Sequence, residues 1–312
     1  MGKLSANWPY FLLSQIAKGK FFLKPELAVG LGHQAARILA AQSGDAQDEI
    51  AERRIEILCI DDRGKEKKLL YDEDPNESMG SRYDEAPQGS VAIIPVKGTL
   101  LKYGTYCDYG TTELAAIMLE AAMRKNISSI VLDHDSGGGA VDAVPPMVEA
   151  IRRVKALGKP IVSSIDLSCS ADYWLASESD YLVLDNDISA EVGSIGVMMS
   201  FYDVQPMYEE MGIKFHSIYS NESADKNLAF QEALKGNYDL IKTESLDPLA
   251  RNFQEAIKKN RAGKLNESVP GILSGKTFYA QDALKYGLVD RIGTSMTAVE
   301  IALAMSHARK FI

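Results

Sequence analysis

Residues 167–177, LSCSADYWLAS, crowd two serines and a cysteine into the point where a strand-like run, KPIVSSID, gives way to a helix-like one. A hydroxyl or thiol there attacks a carbonyl only if a neighbouring base removes its proton. Ser170 falls in the first turn of the expected helix, which aims its hydroxyl into a cleft and leaves the Ala171 amide free to donate to a developing oxyanion. Ser163 and Ser164 lie inside the strand-like run and Ser168 precedes the turn, so position favours Ser170. Cys169 reads as a small packed neighbour. The competing use of a serine at a helix start is as a cap.

A second stretch, LDHDSGGGAVDAV, puts Gly137, Gly138 and Gly139 between another strand-like run and a helix. Three glycines let the backbone approach a ligand and turn N–H groups outward, which suits an anion or oxyanion; a plain tight turn is the alternative. No Gly-Lys-Ser/Thr follows and GxGxxG is absent, so this is not a nucleotide-phosphate loop.

The base is harder to find. Of the four histidines, His33 and His307 sit in terminal segments and His216 in a strand-like run; His134, beside the glycine turn, is the one histidine candidate. The three cysteines, Cys59, Cys107 and Cys169, are widely spaced and form no CxxC pair. Neither a zinc site nor a disulfide framework is expected, and a reducing compartment fits. No metal or organic cofactor is implied.

A formal charge of -9 argues against direct nucleic-acid binding, because surfaces that neutralise phosphates need excess Lys and Arg. No run of about 18 apolar residues predicts a membrane span. Ser14, Gln15 and Lys18 interrupt the apolar N-terminal stretch, so no signal peptide is read there.

The elements that must position these residues follow from periodicity. Residues 25–42 predict a helix, and RRIEILCIDD a strand. Residues 71–90 are acidic and rich in turn formers, and read as a linker. From Val91 strand and helix signals alternate. SVAIIPVKGTL, SSIVLDHD, KPIVSSID, DYLVLD, SIGVMMS and KFHSIYS predict strands; residues 112–125, 140–157, 171–178, 203–211 and 232–260 predict helices. Apolar strands alternating with helices predict an α/β fold with a parallel sheet covered on both faces and ligands at the strands' carboxyl ends. The chain divides into an N-terminal helical and strand extension (1–70), the linker (71–90), an α/β domain (91–295) and a C-terminal helix (296–312).

Four segments in order carry a family resemblance over roughly Val91 to Gly293. DSGGGAV looks like the SPGG turn, SCSADYWLAS the nucleophile segment, EVGSIGVMMS the TGSIGV segment and GKTFYAQDALKYGLVDRIG the domain end of signal peptide peptidase A-type serine peptidases. These are Ser/Lys-dyad members of the ClpP/crotonase superfamily, whose parallel sheet forms a spiral with flanking helices. Within that group the chain most resembles the phage lambda-type minor capsid, or prohead, proteases, through GKFFLKPELAVGLGHQAARIL and CSADYWLAS.

The resemblance implies roles residue by residue. Ser170 is the nucleophile, Lys226 in GIKFHSIYSNESADKN the general base, and Ser194 in VGSIGV the hydroxyl that orients the lysine. The amides of Gly138 and Ala171 are the oxyanion donors. Lowering a lysine pKa from about 10.4 to about 7.5 needs roughly 4 kcal/mol against its charged form, so Lys226 is expected to be buried in the assembled site. Asp225 beside it acts the other way. Two departures stand out: Gly137 replaces a proline, and Asp172 replaces a glycine where a negative charge pointing inward would oppose the oxyanion.

The implied activity is serine endopeptidase on protein or peptide substrates, in a homo-oligomeric ring. Capsid or scaffold proteins would be its partners, in the bacterial host cytoplasm or inside proheads. The rival expectation is a catalytically degenerate, ring-forming capsid assembly protein. An acyl-CoA enzyme of the crotonase branch shares the fold but leaves the Ser/Lys segments coincidental.

Overall fold

Long runs of aliphatic residues set the sheet. The structure, a computed structural model, describes residues 20–23, 55–71, 82–104, 109–201, 203 and 205–309. The helix expected at 25–42, residues 72–81 of the linker and Cys107 lie outside these residues.

Strands β4 (Ser90–Lys97), β5 (Ile127–Ser136) and β7 (Ile161–Cys169) pair in parallel at the centre, with Ile94 opposite Leu132 and Leu132 opposite Ser163. Alternate side chains point to opposite faces. Ile130, Leu132, Ile161 and Ile165 therefore pack into one core with helices α1 (Thr111–Met123) and α2 (Val144–Ala156). Val91, Val131, Val162 and Val183 meet Ala298, Val299 and Ala302 of the C-terminal helix α8 (Ser295–Arg309) on the other. Both faces are covered, which is why these strands read as continuous apolar runs rather than alternating ones.

The main sheet runs β11-β9-β7-β5-β4-β2-β3, where β11 is Thr277–Tyr279, with β8 (Tyr181–Leu184) also paired to β7 and to β12 (Arg291–Ile292). Strand β7 gives the first half of one edge to β8 and the second half to β9 (Glu191–Gly193). Its register against β5 jumps from His134–Ile165 to Asp135–Leu167, leaving Asp166 as the extra residue of a bulge just before the site. Strands β2 (Ile55–Ile60) and β3 (Glu66–Tyr71) extend the sheet antiparallel from β4, so residues from the sequence-defined extension share the central sheet. A second sheet, β10-β1-β6, joins Met198–Met199, Lys20–Leu23 and Gly138–Ala140.

Three expectations need correction. KFHSIYS forms no strand: residues 213–220 lie outside any named element, and most of that stretch is exposed. Its alternating pattern finds no sheet edge among the described residues, and Phe215 and Ile218 are 52% and 93% exposed. In SIGVMMS only Met198–Met199 is strand. The long helix at 232–260 is two. Helix α5 (Leu228–Leu234) stops at Gly236, whose φ of +85° favours glycine. Helical turns resume at Asp239 and pass through a wide turn at Lys242–Leu246 into α6 (Asp247–Asn260). Pro248 in the first turn of α6 has no N–H to donate backward, which fits the altered bonding there. The helix expected near 203–211 is α4 (Gln205–Glu210).

Candidate active site

Register brings three of the predicted residues to one level. Ser136, Ser168 and Val192 form a paired row across β5, β7 and β9. Gly138, Ser170 and Ser194 each lie two residues beyond that row, at the carboxyl ends of adjacent parallel strands.

Ser170 opens helix α3 (Ala171–Ser177) with φ 55° and ψ -119°, a conformation that costs a non-glycine residue about 1–3 kcal/mol. Two backbone hydrogen bonds hold it: its N–H donates to Gly193 O at 2.8 Å, and its carbonyl accepts from Trp174 N–H at 3.1 Å. The side chain makes no capping bond. Its hydroxyl donates only loosely, to Gly196 O at 3.4 Å, and the residue is 1% exposed. A cap would be hydrogen-bonded to the helix; a strained serine at a sharp strand-to-helix turn is instead how α/β hydrolases present a nucleophile.

The competing nucleophiles are enclosed. The Ser164 and Ser168 hydroxyls are buried without hydrogen-bond partners among the described residues, and Cys169 is fully buried. Tyr173 and Trp174 belong to the core: the Tyr173 hydroxyl donates to Leu288 O at 2.7 Å, and Trp174 stacks on Phe253 at 5.0 Å.

In the glycine turn each residue has its own reason. Gly138 has φ 103°, and a Cβ on Gly139 would lie 1.9 Å from Leu100 O. That close approach lets Leu100 N–H donate to Gly138 O and Leu100 O accept from Ala140 N–H, pinning the turn. The Gly138 amide donates to Ser136 Oγ at 3.2 Å, and Ser136 Oγ in turn donates to Gly98 O.

Ser194 has φ 53° and donates its N–H to Lys276 O at 2.9 Å. Lys226 is exposed, in a turn closed by its own N–H donating to Ser223 O. None of the described residues gives Lys226 the burial expected of it. Asn227 next to it is left-handed at φ 65° and hydrogen-bonds Tyr219. Bonds from Asn227 and Gln231, with the Lys226 charge nearby, lower the Tyr219 phenol pKa. Among the described residues Ser170, Ser194 and Asn227 are the non-glycine residues with positive φ.

Asp172 is buried, with its carboxylate turned to His134. Both its carboxylate oxygens lie against His134 Nδ1, at 2.9 and 3.0 Å, and His134 Nε2 is 3.1 Å from Ser163 Oγ. Ser163 Oγ continues to Ser179 Oγ at 2.9 Å. This Asp-His-Ser order matches a hydrolase triad, but its serine is Ser163, inside β7 and hydrogen-bonded onward to Ser179, and not Ser170 at the strand's end. His134 is thereby occupied and is not the base for Ser170. Sequence reasoning missed this pair because the residues meet only through the pleat of two strands and the first turn of α3.

A parallel α/β sheet with a strained serine elbow level with a glycine turn defines a class of hydrolase-like proteins. The chain belongs to peptidase family S49, whose model matches residues 153–308. Curated relatives include Protease 4 of Haemophilus influenzae, 26% identical over 222 residues that cover 70% of this chain and 35% of that protein. Capsid assembly protease C of Escherichia phage lambda is 25% identical over 70% of this chain and 50% of its own length. The chain thus spans a third to a half of these relatives. A solved membrane-bound stomatin-specific protease with a substrate peptide superposes at TM-score 0.34 and 16% identity, covering 66% of this chain and 76% of that one. Among the described residues no helix is long and apolar enough to cross a membrane.

Proposed function

We propose that the chain is a serine endopeptidase. Ser170 Oγ attacks the substrate carbonyl carbon, Lys226 takes the hydroxyl proton and returns it to the leaving amine, and water hydrolyses the acyl-enzyme. The amides of Gly138 and Ala171 receive the oxyanion; a charged acceptor outcompetes the neutral Ser136 hydroxyl that the Gly138 amide now meets. Ser194 orients the lysine. The observation that carries this reading is the strained, uncapped Ser170, level with Gly138 and Ser194.

The exposed lysine marks what the single chain lacks. Lys226 follows a stretch whose Met211, Phe215 and Ile218 are exposed, and a second copy packing there would desolvate both the apolar side chains and the lysine. The working form is therefore a homo-oligomer. Likeness to a phage capsid assembly protease supports capsid or scaffold proteins as substrates, cleaved in the host cytoplasm or in proheads. The exposure of Lys226 also favours a second reading, a ring-forming assembly protein without activity.

Hydrolysis of fluorescein-labelled denatured casein by the oligomer separates the two. The protease reading expects turnover that falls by at least about 10³-fold in Ser170→Ala and Lys226→Ala. A folded, oligomeric parent with no turnover on casein or on capsid protein supports the assembly reading.

A further inference from the structure

The glycine turn and the Ser194 turn each continue into a short strand: Gly138–Ala140 is β6 and Met198–Met199 is β10. Between them lies Lys20–Leu23, antiparallel to both. Phe21 is opposite Ala140 on one side and Met198 on the other, Phe22 is opposite Gly139, and Leu23 is opposite Gly138. The inserted strand also runs beside α3, the helix that Ser170 opens.

Two facing strand edges that accept a third strand are a general device for holding an extended peptide, with main-chain hydrogen bonds supplying the affinity. Direction matters here. A peptide paired antiparallel to β6 with its acyl carbon at the Gly138 amide has the residues before the scissile bond extending toward Ala140. The segment from Phe21 to Leu23 runs that way and ends opposite Gly138.

We propose that Lys20–Leu23 is a built-in occupant of the peptide-acceptor groove, lying in the polarity of a substrate, so that the chain as folded is self-blocked and a substrate must displace this strand. The inference rests on the active-site reading for the identity of the groove. The low exposure of Ser170, 1%, accords with a site that is not open.

The test is done without catalysis, in a Ser170→Ala full-length chain. The probe is fluorescein-labelled acetyl-Lys-Phe-Phe-Leu-amide, read by anisotropy. Phe22→Pro removes a ladder donor from the occupant strand while leaving both groove edges intact. Apparent affinity scales with the fraction of chains whose groove is free. The expected result is at least tenfold tighter binding in Ser170→Ala/Phe22→Pro than in Ser170→Ala. In a second measurement that needs no strand variant, hydrogen exchange of the Lys20–Leu23 amides in Ser170→Ala speeds up at saturating peptide. Equal affinity, absent binding in both proteins, or unchanged exchange at saturation overturns the proposal. Failure of the unblocked Phe22→Pro chain, with Ser170 intact, to hydrolyse casein would count against the protease reading alone.

Discussion

Ser170 keeps a strained backbone although its hydroxyl gives the helix nothing in return. A capping serine replaced by alanine costs about 1 kcal/mol. Because the Ser170 side chain makes no capping bond, Ser170→Ala is expected to change unfolding free energy by less than about 0.5 kcal/mol in urea titration. A loss near 1 kcal/mol would return the residue to a structural role. His134 behaves oppositely. Truncating it leaves the Asp172 carboxylate buried without its partner, so His134→Ala is expected to cost about 3–5 kcal/mol by the same measurement. Ser170 and the glycine turn were legible because each is a local signal, a junction between an apolar run and a helical one. The Asp172–His134 pair was not, since its residues are brought together by register and pleat. Asp172 therefore looked like a threat to the oxyanion until its partner was seen.

At the level of elements, periodicity located the parallel strands because burial on both faces leaves an unbroken apolar run. It failed at 214–220, where an alternating pattern predicts a strand only if an edge is available, and among the described residues none takes it. It failed again at Gly236, which the helical pattern on either side masks. One tie between elements sets a pH dependence. Asp290, just before β12, meets Arg261 and Lys264 at the end of α6 and accepts from Leu182 N–H of β8. Burial alone would raise its pKa, but the hydrogen bonds from Arg261 and Lys264 outweigh it and hold the carboxyl below the ordinary aspartate value. Its contribution is full above the unfolded-state value, about 3.9, and is lost as pH falls through the lower folded value. Asp290→Asn is expected to unfold more readily at pH 7, since Arg261 is left buried, and to lose less stability than the parent between pH 4 and about 2. Thermal melts across that range check both statements.

The whole molecule is where the single chain stops short. Ser170 and both turns are built by one sheet, while the proposed base, Lys226, sits on an exposed segment that also exposes Phe215 and Ile218. Phe215→Asp/Ile218→Asp is expected to yield a folded monomer in sedimentation velocity with an unchanged far-UV circular dichroism spectrum, because both side chains are exposed in the chain, and to lose casein hydrolysis with the oligomer. A monomeric variant with full activity would show that the lysine needs no neighbour. The central claim, that the strained serine is the nucleophile, is tested most directly by mass mapping of a fluorophosphonate adduct on the folded oligomer. The account predicts one modified residue, Ser170, with labelling slowed at least about 10²-fold by Lys226→Ala. An adduct on Ser163 or another serine, or equal labelling of the Lys226→Ala protein, would contradict it.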